Sequence, residues 1–400
     1  MNRMRNWLMG IIVLGISLLL AEIVLFLAAS AIPAVAYQIS PPWSRNTVPD
    51  AVLGYRYSPF YPGHDANGYR NDAAPEQVDI LAVGDSLTYG YNAKPADAWP
   101  SQLHALTGQT VYNAGVGGYD TPEYEVVINE MIALNPKVVL FGLYLGNDIS
   151  GAYKSVYMQD RFEELKNKSP KIRAALKTAE KSGTLRARAL EQGMAGDAPE
   201  PAPDSGAVAW IKAHSALYGL LRSANFAYEA WNKSTKPFRS ISDDTFKASS
   251  QRPGRVPFLP DSPDRTVFLS PDLTILSVNA SDARIEEGLR ITKGVLKRLY
   301  GKLTSKGIQF IVVLMDHKPY VYEQAGFQLP EHFTPLIAAE KNLKENLEAF
   351  LNSQHISYID TLPSLSESLS QGMNPYSPSD DGHPNAAGYA AIAKTIAKAL

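Results

Sequence analysis

The stretch Val78-Asp-Ile-Leu-Ala-Val-Gly-Asp-Ser-Leu-Thr-Tyr-Gly90 decides how the rest of the chain is read. Val78 to Val83 is a short, nearly continuous apolar run with β-branched residues, the pattern of a strand buried on both faces of a parallel sheet. It stops at Gly84, and Gly84-Asp85-Ser86 offers a tight turn with a hydroxyl at its tip. Open α/β sheets carry their reactive groups on such turns, just past a strand's carboxyl end. Ser86 is therefore a candidate nucleophile, although Ser and Asp also occupy plain turns, where they bond their own backbone.

Working outward, the alternation of strand and helix continues. A helix is expected over 97–106, then a strand over 110–114 that runs into Asn113-Ala-Gly-Val-Gly-Gly118. Helical spacing over 123–134 precedes a strand over 137–145, which ends at Gly146-Asn147-Asp148. After a break, a helix over 283–303, a strand over 307–314, a helix over 336–351, a strand over 355–359 and a closing helix over 386–400 follow. Asp380-Asp-Gly-His383-Pro384 lies in the loop before that last helix. Successive right-handed βαβ units of this kind make a five-stranded parallel sheet with its sites at the carboxyl edge.

The break, residues 151–280, reads as an insertion that is first charged and helical. It then passes through Gly196-Asp-Ala-Pro-Glu-Pro-Ala-Pro-Asp-Ser205, a linker composition. Residues 208–231 carry apolar side chains at helical spacing, and 267–269 with 274–278 suggest a small hairpin around Pro271-Asp272.

At the other end, Arg3 and Arg5 precede an apolar stretch over 7–36, with residues 7–31 long enough to cross a bilayer. The upstream basic residues favour a cytoplasmic N-terminus and an extracytoplasmic remainder. Residues 1–36 are therefore expected to form a signal anchor in an inner membrane, crossed once, with the rest periplasmic. The rival is a cleaved signal peptide with Ala34-Val35-Ala36 as the small-residue site. Glu22 is costly inside a span, by about 2.5 to 3.5 kcal/mol on insertion scales, which suggests that it is either protonated or paired with a partner helix. Residues 37–77, rich in Pro, Tyr, Asn and Gly, are expected to form an extended stalk.

Composition narrows the function. A chain of 400 residues with 45% hydrophobic content builds a sizeable core with length to spare for anchor and insertion. A net charge of −2 and the lack of a long basic run argue against a nucleic-acid partner. The count of zero cysteines excludes disulfides, thiolate metal sites and a Cys nucleophile. His64, His104, His214, His332 and His355 lack metal-ligand spacing, so neither metal nor cofactor is expected. His317, after the fourth sheet strand, could line a pocket but is better read as structural.

Taken in order, the Ser86 turn, Asn113 to Gly118, Gly146-Asn147-Asp148 and Asp380 to Pro384 resemble the four motif blocks of the SGNH (GDSL) hydrolase superfamily, over roughly 67–150 and 280–400. The long insertion makes the chain most similar to the larger membrane-tethered bacterial members. The resemblance implies a flavodoxin-like three-layer α/β/α domain, split into 78–150 and 281–400, and ester chemistry. It assigns Ser86 as nucleophile, His383 as general base and Asp380, three residues upstream on the same loop, as the group that orients the imidazole. It assigns the oxyanion to the backbone N–H of Ser86, the backbone N–H of Gly118 and the side-chain amide of Asn147.

Plainer readings stand beside each residue: a glycine-rich βα turn, a helix cap at Asn147 or Asp148, a surface histidine. Asp381 is a second plausible carboxylate. The expected function is hydrolysis of an O-acyl ester, acetyl by preference, on an envelope carbohydrate or a small lipid. The rivals are an O-acyltransferase that uses the same triad on a cell-envelope polysaccharide, and a non-catalytic envelope assembly protein.

Overall fold

A computed structural model describes residues 2–39, 47–59, 61, 63–181, 214–235, 243–260 and 265–400. The linker expected at Gly196 to Ser205 lies outside the described residues, as do positions 208–213 of the helix expected after it. The chain divides into two compact units, one of Met1–Gly68 with Asp197–Lys236, the other of Tyr69–Gly196 with Pro237–Leu400. The insertion expected at 151–280 is thereby shared between them.

In the first unit the helix Asn2–Ala31 is long and apolar, and Arg5–Ala31 has the length and composition to cross a membrane. A short helix, Pro33–Ile39, follows it. The region expected as an extended stalk contains instead an antiparallel hairpin of β1 (Thr47–Asp50) and β2 (Gly54–Tyr57). Asp50 organises it: its carboxylate accepts the N–H groups of Val52 (2.9 Å) and Leu53 (2.8 Å) and pairs with Arg56 at 2.5 Å. Polar turn residues that look like coil by composition are here held by a local Asx turn. The last element of this unit is the helix Ala216–Thr235.

The second unit is built on five parallel strands, β3 (Ile80–Val83), β4 (Val111–Asn113), β5 (Val138–Tyr144), β8 (Gln309–Met315) and β9 (Ser357–Asp360), in the order β4-β3-β5-β8-β9. Numbered within the sheet this is 2-1-3-4-5, the flavodoxin-like order, with its switch point between β3 and β5. Ile80, Leu81, Ala82 and Val83 are all fully buried, as the apolar run requires. The helices Thr121–Met131, Ala283–Thr304, Thr334–Ser353 and Ala386–Ala399 each bury an apolar stripe, which completes the mixed α/β architecture.

One expectation fails in the second part of the insertion. Strand β7 (Thr266–Leu269) pairs not with 274–278 but with the upstream β6 (Arg255–Phe258). Residues 271–278 form a helix instead, Pro271–Val278, with Ser270 at its N-cap and Pro271 in its first turn. Proline is pre-set for a helix start, so Pro271-Asp272 opens a helix where a hairpin turn was expected.

Candidate active site

Strand β3 delivers the chain to the turn at Asp85, which caps the short helix Ser86–Tyr89 by accepting the Leu87 N–H at 2.8 Å. The helix end is held from behind by Arg70, whose guanidinium donates to the carbonyls of Tyr89 (3.1 Å), Gly90 (2.7 Å) and Ala93 (2.7 Å). The glycine-rich turn after β4 packs directly on this helix. A Cβ on Gly115 would lie 2.3 Å from the Tyr89 nitrogen, so only glycine permits the approach.

Ser86 Oγ lies 2.8 Å from His383 Nε2 and 3.4 Å from Asp85 Oδ2. The shorter contact is to the imidazole, 297 positions away in sequence. The other ring nitrogen, Nδ1, lies 2.6 Å from Asp381 Oδ1. Asp380 does not contact the imidazole; its carboxylate takes the Arg255 Nε at 2.6 Å and the Arg252 Nη1 at 3.1 Å. The acid assigned by the family's three-residue offset is thus corrected by one position.

The physical reason is an Asx turn: Asp381 Oδ1 also accepts the main-chain N–H of His383 at 2.9 Å, two residues on, which brings its carboxylate against the ring. Asp380 meanwhile meets two arginines supplied by the insertion. The Asp-Gly-His triplet was the available signal, since Asp characteristically bonds the backbone two residues ahead.

Burial alone would raise the Asp381 carboxyl. The hydrogen bonds and charge of His383, with the Asn92 amide at 2.5 Å on Oδ2, outweigh it and hold the group down to about 2. The loop that carries Asp381 is anchored by a buried cation that sequence reading missed. Lys318 Nζ donates to the carbonyls of Ser377 (2.8 Å), Ser379 (2.8 Å) and Asp381 (3.3 Å). Burial pushes this ammonium down to about 7, against the pull of Asp381 and Asp380. Tyr91, half exposed, sets its ring 5.0 Å from that of His383 and forms a wall beside it.

Asn147 follows β5 and stands at the N-cap of the helix Asp148–Tyr153, yet its side chain makes no capping bond. Its amide Nδ2 instead lies 3.3 Å from Asp85 Oδ2, which aims it at the Ser86 turn. Asp148 holds the turn from below, accepting the Tyr124 hydroxyl (2.9 Å) and the Tyr144 N–H (2.8 Å). Asp85 and Asp148 are both fully buried, and desolvation raises their pKa values, most strongly for Asp148, beside the neighbouring carboxyls Asp85 and Asp120. Gly118 sits on the adjacent turn after β4, exposed, and outside this hydrogen-bonded cluster.

His317 is buried and belongs to a separate network. Its main-chain N–H donates to Glu340 (2.7 Å), and its ring Nδ1 lies 3.1 Å from the same carboxylate. Burial opposes the charged ring there, but the facing Glu340 wins and raises its pKa. Among the described residues no group of three or more His, Asp or Glu is placed to hold a metal.

A hydroxyl, an imidazole and a carboxylate in hydrogen-bonded sequence, at the carboxyl edge of a doubly wound parallel sheet, can perform acyl transfer through a covalent serine intermediate. Their class is that of the serine ester hydrolases. In sequence, residues 82–219 match the model of the GDSL-like Lipase/Acylhydrolase family. The matched span holds Ser86, Gly118 and Asn147, whereas Asp381 and His383 lie beyond it.

No curated protein matches the chain. Among solved structures it is similar to a G-D-S-L family protein from Desulfitobacterium hafniense DCB-2, at 12% identity over 80% of this chain and 98% of that one, TM-score 0.36. It is also similar to a phospholipase A1 from Streptomyces albidoflavus NA297, at 13% identity over 81% and 100%, TM-score 0.38. A catalytic mutant of an acetylxylan esterase from Geobacillus stearothermophilus matches at 10% identity over 81% and 94%, TM-score 0.35.

Proposed function

We propose that this chain is a membrane-anchored, periplasmic serine esterase that removes an O-acyl group, acetyl by preference, from an envelope carbohydrate or a small lipid. The observation that carries the reading is the run of short contacts from Ser86 Oγ through His383 to Asp381. Ser86 Oγ attacks the ester carbonyl and gives its proton to Nε2 of His383, while Asp381 holds the opposite N–H and steadies the imidazolium. The tetrahedral adduct collapses, the C–O bond to the alcohol breaks, and His383 returns the proton to the departing oxygen. Water, deprotonated by the same nitrogen, then cleaves the acyl-serine ester and releases the acid.

The developing oxyanion is assigned to the N–H groups of Ser86 and Gly118 and the Asn147 amide. The orientation of that amide toward the Ser86 turn, rather than as a helix cap, supports its part. Asn147→Ala should lower kcat by about 10²- to 10³-fold with KM little changed, as removal of one oxyanion donor does elsewhere. Steady-state kinetics on para-nitrophenyl acetate check this, and an unchanged kcat removes Asn147 from the set.

The anchor is supported by the Arg5–Ala31 helix, and the orientation by Arg3 and Arg5 ahead of it. A domain tethered in this way meets the esters of the envelope, which is the ground for the substrate class.

The test is a fluorophosphonate probe on the full-length protein, with the adduct located by mass spectrometry, alongside hydrolysis of para-nitrophenyl acetate, butyrate and octanoate. Labelling at Ser86 with turnover that falls as the acyl chain lengthens supports an acetylesterase. Labelling without turnover, together with acyl transfer only when a sugar acceptor is added, replaces hydrolysis with transfer. Absence of labelling rejects the nucleophile.

A further inference from the structure

Glu22 lies on the anchor helix, more than four turns from Arg5, the nearest charged residue on its N-terminal side, and it has partners within this chain. Its carboxylate accepts the N–H groups of Ala216 (2.7 Å) and Leu217 (3.3 Å) and the hydroxyl of Ser215. These are the first N–H groups of the helix Ala216–Thr235. The next two are also used: Tyr218 N–H donates to Ser215 Oγ (3.0 Å) and Gly219 N–H to the Ser215 carbonyl (3.0 Å). No N–H of the opening turn is left without an acceptor, which is the condition for a helix to begin inside hydrocarbon.

Two more contacts fix the same helix to the short helix Pro33–Ile39 that follows the anchor. A Cβ on Gly219 would meet the Ile39 carbonyl oxygen at 2.5 Å, so the two backbones touch, and Ser223 Oγ donates to the Gln38 carbonyl.

The depth of this junction follows from helix geometry. With the span Arg5–Ala31 centred in a hydrocarbon core about 30 Å thick, and about 1.5 Å of rise per residue, Glu22 lies about 9 Å inside the outer boundary. A helix whose first turn is bonded to Glu22 begins at that depth. Its opening residues, Ala216 to Leu221, contain no charged side chain, and the first charge is Arg222. Leu221 is 64% exposed and Leu220 37%, so the opening turns present apolar side chains outward, as the anchor helix does.

We propose that the helix Ala216–Thr235 is a membrane-seated element, with its N-terminal turns in the outer half of the bilayer against the anchor and Leu220 and Leu221 facing acyl chains. Glu22 is the bond that seats it. The carboxylate and the helix N-terminus are each costly in hydrocarbon alone, and each satisfies the other. The occupant of the apolar face is lipid. This rests on the anchor reading above and adds to it a second contact between chain and bilayer.

The natural chain has no cysteine, so single-cysteine labelling is clean. Full-length protein carrying Leu221→Cys, Leu14→Cys or Met373→Cys is labelled with a nitrobenzoxadiazole fluorophore. It is then reconstituted in phosphatidylcholine and phosphatidylglycerol vesicles that contain a mid-chain doxyl phosphatidylcholine. Loss of emission is expected at positions 14 and 221 and none at 373. Quenching at 14 with position 221 behaving like 373 leaves the anchor intact and overturns the inference. No quenching at 14 removes the anchor itself, and the inference with it. In the Leu221→Cys background, Glu22→Leu should abolish most of the quenching while Glu22→Gln, which keeps one acceptor oxygen, retains part of it. An unchanged signal in Glu22→Leu overturns the seating role.

Discussion

Ser86→Ala should lower kcat toward para-nitrophenyl acetate by about 10⁶-fold, the scale at which loss of a serine nucleophile disables a triad. His383→Ala should do the same, and the double variant should be no worse than either single one, because the two groups act as a unit. The fold should survive the first change. The helix that carries Ser86 is capped by Asp85, not by Ser86, and Asp85 keeps its bonds to Leu87 and Asn147 when the hydroxyl is gone. The measurement is a progress curve at high enzyme concentration, with a melting curve beside it. Residual activity in Ser86→Ala within tenfold of wild type would remove the covalent mechanism.

The second large effect separates two adjacent carboxylates. Asp381→Asn should lower kcat by about 10⁴-fold, in line with the same change in other serine triads. Asn92 can rotate its amide to suit the new side chain, so the geometry is retained and the lost quantity is the negative charge opposite the imidazolium. Asp380→Asn should leave kcat within tenfold and act on stability instead. Its bond to the largely buried Arg255 is charge-assisted, a type worth about 1.5 to 3 kcal/mol, and its loss, together with that of the screened and weaker pair with exposed Arg252, lowers the melting temperature. A kcat loss in Asp380→Asn as large as in Asp381→Asn would refute this division of roles.

The pH dependence has a definite sign. Asp381 is held below the ordinary 3.8, at about 2, so the folded state favours its ionised form. Its contribution to stability is present above about pH 4 and is lost as pH falls toward 2. Acid unfolding curves of wild type and Asp381→Asn should therefore converge over that window. Asp381 remains charged throughout the pH range in which an esterase is assayed, so the acid limb of the activity profile should not change with it.

Much of the fold was legible because it depends on local pattern. The apolar run 80–83, the strand ending at Tyr144 and the long helix beginning at Ala283 each declare themselves within ten or twenty residues, through periodicity and end signals. The turn at Ser86, the glycine-rich turn and the loop before the closing helix could be placed at one sheet edge because parallel βαβ connectivity leaves them no other place. Helix and hairpin were confused at 271–278 because a short apolar run fits both, and only its N-terminal proline argued for the helix.

What the local pattern determines in this chain is the five strands of the sheet and the placement of the Ser86 turn and the His383 loop at its carboxyl edge. Which of two neighbouring aspartates faces the imidazole had one local signal, the Asx turn of Asp381-Gly-His383, and tertiary structure completed the choice. That choice depends on Arg252 and Arg255, more than a hundred residues upstream, which draw Asp380 away, and on Lys318, which holds the Asp381 carbonyl. The partner of Glu22 was hidden for the same reason. A carboxylate in a long apolar run states in sequence that it needs a donor, but the donors are backbone N–H groups at position 216 and beyond, and any helix start offers them. Residue type specifies the need, and only the folded chain specifies which of many identical groups meets it.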